Sequence, residues 1–301
     1  MTTCIIVNPN AGSVEATAEL QARLEQLPDT SVALTEKEGD AERLAREAVQ
    51  SGADLVVAAG GDGTLNEVVN GLAEDFSRSR LGLLPLGTGN DFARSINVPP
   101  DLDASLAILA EGRTRATDVG RATFGGKCRY FINMAVGGFS PIVSEKADDA
   151  KERWGPLAYL RGAVGALPEL SGFKAILTFD DGERMSIETY NIVLSNGRFV
   201  AAGIPVAPMS MLDDGFLDVL IAPVTTIPQL AVLVPQVLLG RHAESDLLVF
   251  RKAVHVEVES DPPMLWNVDG EIIGDQPARF EVLPRALQVV VGPDVEEEPP
   301  G

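Results

Sequence analysis

The chain has 301 residues, 45% of them hydrophobic and 23% charged, with a formal net charge of −20. That length fits one large domain or two of ordinary size, with ample apolar content for packed cores. The acidic balance excludes binding along a nucleic-acid backbone, which needs a basic face, and disfavours long-range attraction to an anionic membrane, leaving a local basic or apolar patch as the route to one.

Cys4 and Cys128 are the only cysteines, too few for a disulfide framework or a thiolate zinc site. Cys4 lies in an apolar run and reads as an inert core residue. The first residues lack the basic and long apolar regions of a signal peptide. No apolar run approaches the roughly 20 residues that span a bilayer. A soluble, cytoplasmic protein is expected.

Cys4–Val7 reads as a buried strand that ends in the turn-rich loop Asn8-Pro9-Asn10-Ala11-Gly12-Ser13. Ala16, Leu20, Leu24 and Leu27 then fall on one helical face, Ser31–Thr35 is a second strand, and Gly39–Ser51 is a helix with Ala41, Leu44, Ala45, Ala48 and Val49 in one stripe. Two further buried strands, Asp54–Ala59 and Leu81–Leu86, each lead through a glycine-rich loop into a helix. Strands alternating with helices predict a parallel sheet covered on both faces, with the loops at the carboxyl ends lining one crevice. Ala104–Ala110 is predicted to close this half as a helix, with Asp103 as a candidate N-cap.

The two loops are Gly60-Gly61-Asp62-Gly63-Thr64-Leu65-Asn66-Glu67 and Pro85-Leu86-Gly87-Thr88-Gly89-Asn90-Asp91-Phe92-Ala93-Arg94. Glycine lets a ligand approach the backbone, and a helix N-terminus adds free N–H groups and partial positive charge, so each loop can cradle phosphate. An aspartate beside phosphate is repulsive unless a cation lies between them, which points Asp62 and Asp91 to a Mg²⁺-nucleotide site. The alternative is that each aspartate only caps its own helix.

Beyond Asp118 the pattern changes to short alternating runs cut by turns: Lys127–Ala135, Lys174–Phe179, Met185–Ser195, Leu217–Pro223, Ala253–Glu259, Leu265–Val268, Ala278–Leu283 and Leu287–Val291. Asp180-Asp181-Gly182 marks a hairpin turn. Together these predict an antiparallel sandwich or barrel-like second domain. Two helices interrupt it, one over Pro156–Leu170 and one from Thr226 with Leu230, Leu233, Val234, Val237 and Leu238 in a stripe that favours core packing over a lipid-facing surface. The acidic, proline-rich end, 294–301, is expected to be disordered.

The two glycine-rich motifs resemble the diacylglycerol kinase catalytic domain. From Val7-Asn8-Pro9 to Val268-Asp269-Gly270-Glu271, nearly its full length, the chain is similar to the bacterial soluble lipid kinases of the YegS/DgkB type. NAD kinases share the first motif, but its combination with Gly-Thr-Gly-Asn-Asp is specific. The resemblance implies an α/β plus β fold: an N-terminal three-layer α/β nucleotide domain (1–118), a C-terminal antiparallel β-sandwich (119–293), and an active site in the cleft between them. It implies ATP contacts from Asn8, Pro9, Asn10, Ala11, Gly12, Thr35, Gly60, Gly61, Asp62, Gly63, Thr64, Leu65, Asn66 and Thr88. Asp62 and Asp91 would organise the nucleotide's Mg²⁺ and Glu271 would be the catalytic base. A second, structural Mg²⁺ would bind Asp214 and the backbone carbonyls of Met211 and Phe216.

Phosphoryl transfer needs positioning, neutralised phosphates and a group that accepts a hydroxyl proton. Of the two histidines, His255 alternates with Val254 and Val256 as an exposed strand residue, and His242 follows Gly240-Arg241 at a helix end, where facing the dipole is role enough. A carboxylate base remains, and Glu271 follows a strand in an Asp-Gly turn; without the resemblance it reads as an ordinary exposed glutamate. Three departures from relatives stand out. Ser13 follows the first loop where many have Lys or Gly, which leaves Arg94 to serve as the basic phosphate partner. Ala201-Ala202-Gly203 stands where relatives often have three glycines, so the loop there is expected to differ. The acidic surface disfavours persistent membrane docking.

The leading expectation is an ATP- and Mg²⁺-dependent lipid kinase, with diacylglycerol converted to phosphatidic acid and only transient peripheral contact with a membrane. A homodimer is left open. The alternatives are an NAD kinase-like enzyme, although no Thr-Gly-Ser-Thr-Ala-Tyr-like segment is present, and a non-catalytic nucleotide-sensing protein that keeps the fold.

Overall fold

The computed structural model describes residues 2–12, 17–138, 172–180, 182–243, 245–275 and 277–293. The first half runs β1 (Thr3–Val7), α1 (Thr17–Leu24), β2 (Thr30–Leu34), α2 (Asp40–Gln50), β3 (Leu55–Gly60), α3 (Asp62–Leu72), β4 (Arg80–Pro85), the short α4 (Asp91–Ser95) and α5 (Leu102–Glu111). The four strands form the expected parallel sheet in the order β2-β1-β3-β4. Strands buried on both faces read as unbroken apolar runs, and every residue of β3 is buried. The connections from β1 lead to β2 on one side, and β3 lies on the other, so the loops leaving β1 and β3 part at a topological switch point. There an open α/β sheet presents its ligand crevice.

α5 starts two residues earlier than predicted, and Asp101 rather than Asp103 is its N-cap, accepting the Ala104 N–H at 2.8 Å. A cap residue needs an extended backbone, which Asp101 has (φ −71°, ψ 124°); Asp103 is already inside the first turn and pairs with Arg23 instead.

The second half contains β5 (Thr114–Phe124), β6 (Lys127–Phe131), β7 (Met134–Gly138), β8 (Phe173–Phe179), β9 (Arg184–Ser195), β10 (Leu217–Pro223), α6 (Ile227–Leu238), β11 (Val249–Ala253), β12 (His255–Asp261), β13 (Trp266–Val268), β14 (Glu271–Gly274) and β15 (Ala278–Val290). These strands pair with one another antiparallel. The predicted strand Lys127–Ala135 is broken at Ile132 and Asn133, whose N–H groups turn to the Asp269 carboxylate. The predicted Ala253–Glu259 strand corresponds to β12, two residues later at each end, with Ala253 closing the separate strand β11. Ala278–Leu283 and Leu287–Val291, read separately from the sequence, belong to the single strand β15, with a register shift between Leu283 and Leu287 and Arg285 at φ 50°. Its partner β5 was not predicted. β15 then pairs parallel with β4 through Val289 and Leu81, so the last strand returns to the first sheet and one hydrogen-bonded network joins both halves.

Leu230 and Leu233 of α6 are buried and Val234, Val237 and Leu238 half-buried, the core packing expected of that stripe. His242 is fully buried, not merely poised at a helix end, and its Nε2 lies 2.7 Å from the Val206 carbonyl oxygen. Cys4 is a core residue, as expected. The β8–β9 hairpin forms, with Gly182 at φ 80°. Ser13, Ala16, Asp181, the helix predicted over 156–170 and the tail 294–301 lie outside the described residues.

Candidate active site

The loops after β1, β3 and β4 meet with almost no space between their backbones. A side-chain carbon added to Gly12 (φ 63°) would lie 2.1 Å from the Leu86 carbonyl oxygen, and one on Gly87 would lie 2.5 Å from the Gly61 Cα. Only glycine permits that approach. Asn8 ties the first loop to the second by donating Nδ2–H to Thr64 Oγ1 at 3.1 Å, while its Oδ1 accepts the Asn10 N–H at 2.9 Å. The Thr35 N–H bonds the Val7 carbonyl at 3.0 Å, which brings the end of β2 to the same edge. Asn90 is left-handed (φ 51°) and closes the third loop on itself, accepting from the Gly87 N–H at 3.1 Å and donating to the Gly87 carbonyl at 2.6 Å. Leu65 and Asn66 are buried in α3, with Asn66 bonded to Asn70; Gly63 and Thr88 are exposed.

Neither aspartate caps its own helix by a side-chain bond; Gly61 and Asn90 occupy the cap positions of α3 and α4. Each carboxylate instead reaches the next segment. Asp62 Oδ1 accepts the Asp91 N–H at 2.8 Å, and Asp91 accepts the N–H groups of Ala202 and Gly203 at 3.1 and 2.7 Å. The two nucleotide motifs are thereby bonded in series to a loop of the second domain. Burial raises the Asp62 carboxyl above its ordinary range, against the lowering effect of the N–H groups around it. Burial raises Asp91 too, and the neighbouring Asp62 adds to that. Two hard carboxylates that repel each other beside a phosphate cradle are a donor set that suits Mg²⁺. The room between them exists because residue 89 is glycine: a side-chain carbon there would fill it, 2.6 Å from Asp62 Oδ2 and 3.7 Å from Asp91 Oδ2.

The loop carrying Ala202 takes the glycine conformation without the glycines. Ala201 and Ala202 sit at φ 51° and 66°, ahead of Gly203 at φ 107°. Left-handed backbone is strained for alanine, and the bonds to Asp91 hold it there. The Arg94 guanidinium lies beside Gly203, its Nε 3.4 Å from where a side-chain carbon would be.

Glu271 is the first residue of β14, directly after the Asp269–Gly270 turn, rather than within the turn itself. Arg129 of β6 holds it through Nε and Nη2 at 3.1 to 3.2 Å and bonds Glu42 of α2 with Nη1 at 2.7 Å. Glu271 thus faces the junction of the domains, fixed in orientation by a planar guanidinium. Asp269 anchors the turn. Its enclosed carboxylate accepts the N–H groups of Ile132 and Met134 at 2.7 Å each and of Asn133 at 3.2 Å. Burial nevertheless pushes it up to about 6, and the charge of Asp62 across the crevice adds to the shift. Arg129 and Asp269 escaped the sequence reading. Asp269 lies in the motif that marked Glu271, so only its role was missed; Arg129 carries no local signal.

The proposed structural-ion residues lie in a web of charges. Lys252 bonds Asp214 Oδ2 and lies 3.8 Å from Asp218, the Phe216 N–H donates to Asp214 Oδ1 at 3.0 Å, and Arg115 grips Asp213 through two bonds of 2.8 and 3.0 Å. Asp118 accepts from the Gly215 and Arg285 N–H groups at 2.7 and 2.6 Å. Asp214, the one carboxylate of the expected ion site, thus already has Lys252 and the Phe216 N–H as partners.

A glycine-lined switch-point crevice, paired aspartates and a β-sandwich closing over them define a two-domain nucleotide-dependent kinase fold. Residues 2–122 match the diacylglycerol kinase catalytic domain and residues 133–291 the YegS C-terminal NAD kinase beta sandwich-like domain. The chain is 34% identical over 299 residues to proteins named diacylglycerol kinase from Staphylococcus aureus and Staphylococcus epidermidis, covering 98% of this chain and 93% of each relative. It superimposes on the crystal structure of a diacylglycerol kinase from Bacillus anthracis with a TM-score of 0.81 at 26% identity, covering 98% of both chains. The protein belongs to the diacylglycerol kinase family and is a lipid kinase.

Proposed function

We propose that this protein transfers the γ-phosphoryl group of ATP to the free hydroxyl of diacylglycerol, giving phosphatidic acid and ADP. The observation that carries the reading is the relay from Asp62 to Asp91 to Ala202 and Gly203, which sets the nucleotide cradle against the domain that presents Glu271. Asn8 to Gly12, Thr35, Gly60 to Asn66 and Thr88 would hold the nucleotide. Asp62 and Asp91 would hold its Mg²⁺, whose part is to neutralise the phosphate oxygens. Glu271 takes the hydroxyl proton as the lipid oxygen bonds to phosphorus and the bond to the ADP oxygen breaks. Arg129 positions Glu271, and Arg94 beside Gly203 is the cation available to the phosphates. Diacylglycerol is the acceptor named for the relatives, which supports it over other lipid alcohols.

A second ion at Met211, Asp214 and Phe216 would share Asp214 with Lys252, and no step of the reaction is routed through it. No helix among the described residues is long and apolar enough to cross a membrane; a cytoplasmic enzyme that touches the bilayer transiently accords with that.

The test is transfer of label from ATP to diacylglycerol in mixed micelles with Mg²⁺. Glu271→Gln is expected to lower turnover by about 10²–10⁴-fold, the usual loss for a general base. Unchanged turnover removes Glu271 from the mechanism, and label in NADP instead of lipid supports the NAD kinase alternative.

A further inference from the structure

A surface helix ordinarily turns an apolar stripe inward and a charged one outward. α6 does not. Its inward residues are Leu230 and Leu233, and beside the exposed, uncharged Gln229 its exposed residues Pro228, Val232 and Pro235, continued by Leu239, form a second apolar stripe at i, i+4, i+7 and i+11. Val232 is 56% exposed and Leu239 65%. The run Val219–Gly240 holds no charged residue and is the longest such run in a chain of net charge −20.

The neighbouring segment has the same character. The loop Phe199–Leu212 is also uncharged, and its Val200 and Val206 pack in the same cluster as Leu233 and Val237. Gly240 lies so close to Pro205 that a side-chain carbon on it would be 2.7 Å away, and Met209 is 44% exposed. The exposed cation Arg241 stands at the edge of this face, immediately after Leu239 and Gly240. The same loop carries Ala202 and Gly203, bonded to Asp91. The uncharged face and the nucleotide motifs are therefore one short loop apart.

We propose that α6 and the loop beside it form the face by which this protein seats on a neutral lipid bilayer. The inference rests on the reading that the acceptor is a bilayer lipid. An acidic chain meets repulsion at an anionic surface over most of its area, whereas this face presents no negative charge. Val232 and Leu239 enter the headgroup boundary, Arg241 meets the headgroup phosphates, and the acceptor hydroxyl has only the length of one loop to travel to the crevice. Binding through buried apolar area is insensitive to salt.

The experiment compares the full-length protein with the Val232→Asp/Leu239→Asp double variant, and with Val232→Ala/Leu239→Ala as the milder pair. It measures flotation on phosphatidylcholine vesicles containing diacylglycerol, and phosphorylation of that diacylglycerol and of a short-chain, water-dispersed one. The expected result for the aspartate pair is a loss of vesicle binding of at least about tenfold, with an equal fall in turnover on bilayer substrate. Turnover of the short-chain substrate is unchanged, and the alanine pair falls between. Vesicle binding unchanged in the aspartate pair overturns the proposal. So does binding that grows with anionic lipid and fades with salt, or a wild-type dimer that the aspartate pair splits without loss of vesicle binding. Failure of the wild-type protein to phosphorylate diacylglycerol in both forms brings down the functional reading instead, and flotation still decides the surface.

Discussion

Among the described residues no basic side chain is ion-paired to Asp62 or Asp91, whereas the web of Asp118, Asp213, Asp214 and Asp218 is threaded by Arg115 and Lys252. Burial raises Asp62, Asp91, Asp118 and Asp218 alike. The difference is in what offsets it. In the second region the protein supplies its own cations, and the result is a joint tying β5, the loop 211–216, β11 and β15. In the first, backbone N–H groups position the carboxylates and leave their mutual repulsion standing, a state that the divalent cation of the proposed reaction would relieve. An unneutralised buried pair points to a ligand; a neutralised cluster points to architecture.

Substitution tests that contrast most severely. Asp62→Asn is expected to cut turnover at least about a hundredfold, since several kcal/mol of charge stabilisation are lost, while Tm holds or rises because a costly buried charge is gone. Asp213→Ala should do the reverse, leaving kcat per folded molecule unchanged while loss of the two part-buried Arg115–Asp213 bonds destabilises the fold by about 2 kcal/mol in denaturant titration. If both variants lost the same property, the contrast would be wrong.

The next effect is in pH. The Asp269 carboxyl is held protonated up to about 6 in the fold, above its ordinary 3.8. The folded state therefore binds the proton more tightly, and this group's contribution is fully favourable below about 4 and lost as pH rises to about 6. Relative to Asp269→Asn, wild-type stability should decline by about 3 kcal/mol across that window. The raised Asp62 and Asp91 give the companion expectation that Mg²⁺-nucleotide binding strengthens with rising pH and releases protons, measurable by calorimetry in two buffers.

Magnesium sharpens the contrast further. In the nucleotide-free protein it should leave Tm unchanged, because Lys252 already neutralises Asp214. A clear rise, larger in Lys252→Met, would instead support an ion at Met211, Asp214 and Phe216. The smallest effect is expected from Ala201→Gly with Ala202→Gly. Relief of two left-handed alanines is partly offset by glycine's larger unfolded entropy, for a net gain of about 1 kcal/mol at most.

The sequence by itself determined the strand–helix alternation, the two glycine-rich cradles, the aspartates in them and the hairpin-rich second half, because apolar periodicity and glycine placement are local properties of a chain. It also singled out Asp62 and Asp91, and through the family resemblance Glu271, as candidate site residues. Only the tertiary structure decided what those groups touch. That Asp62 bonds the start of α4 and Asp91 a loop more than a hundred residues on depends on contacts across the fold. So do the grip of Arg129 on Glu271 and the continuity of β15 from one sheet into the other. The cap reading of the aspartates and the placing of Asp103 failed for the same reason: a short polar side chain near a helix start satisfies the local pattern equally well whether it bonds its own helix or a distant one. Backbone conformation and long-range donors, which no window of residues contains, settle that choice.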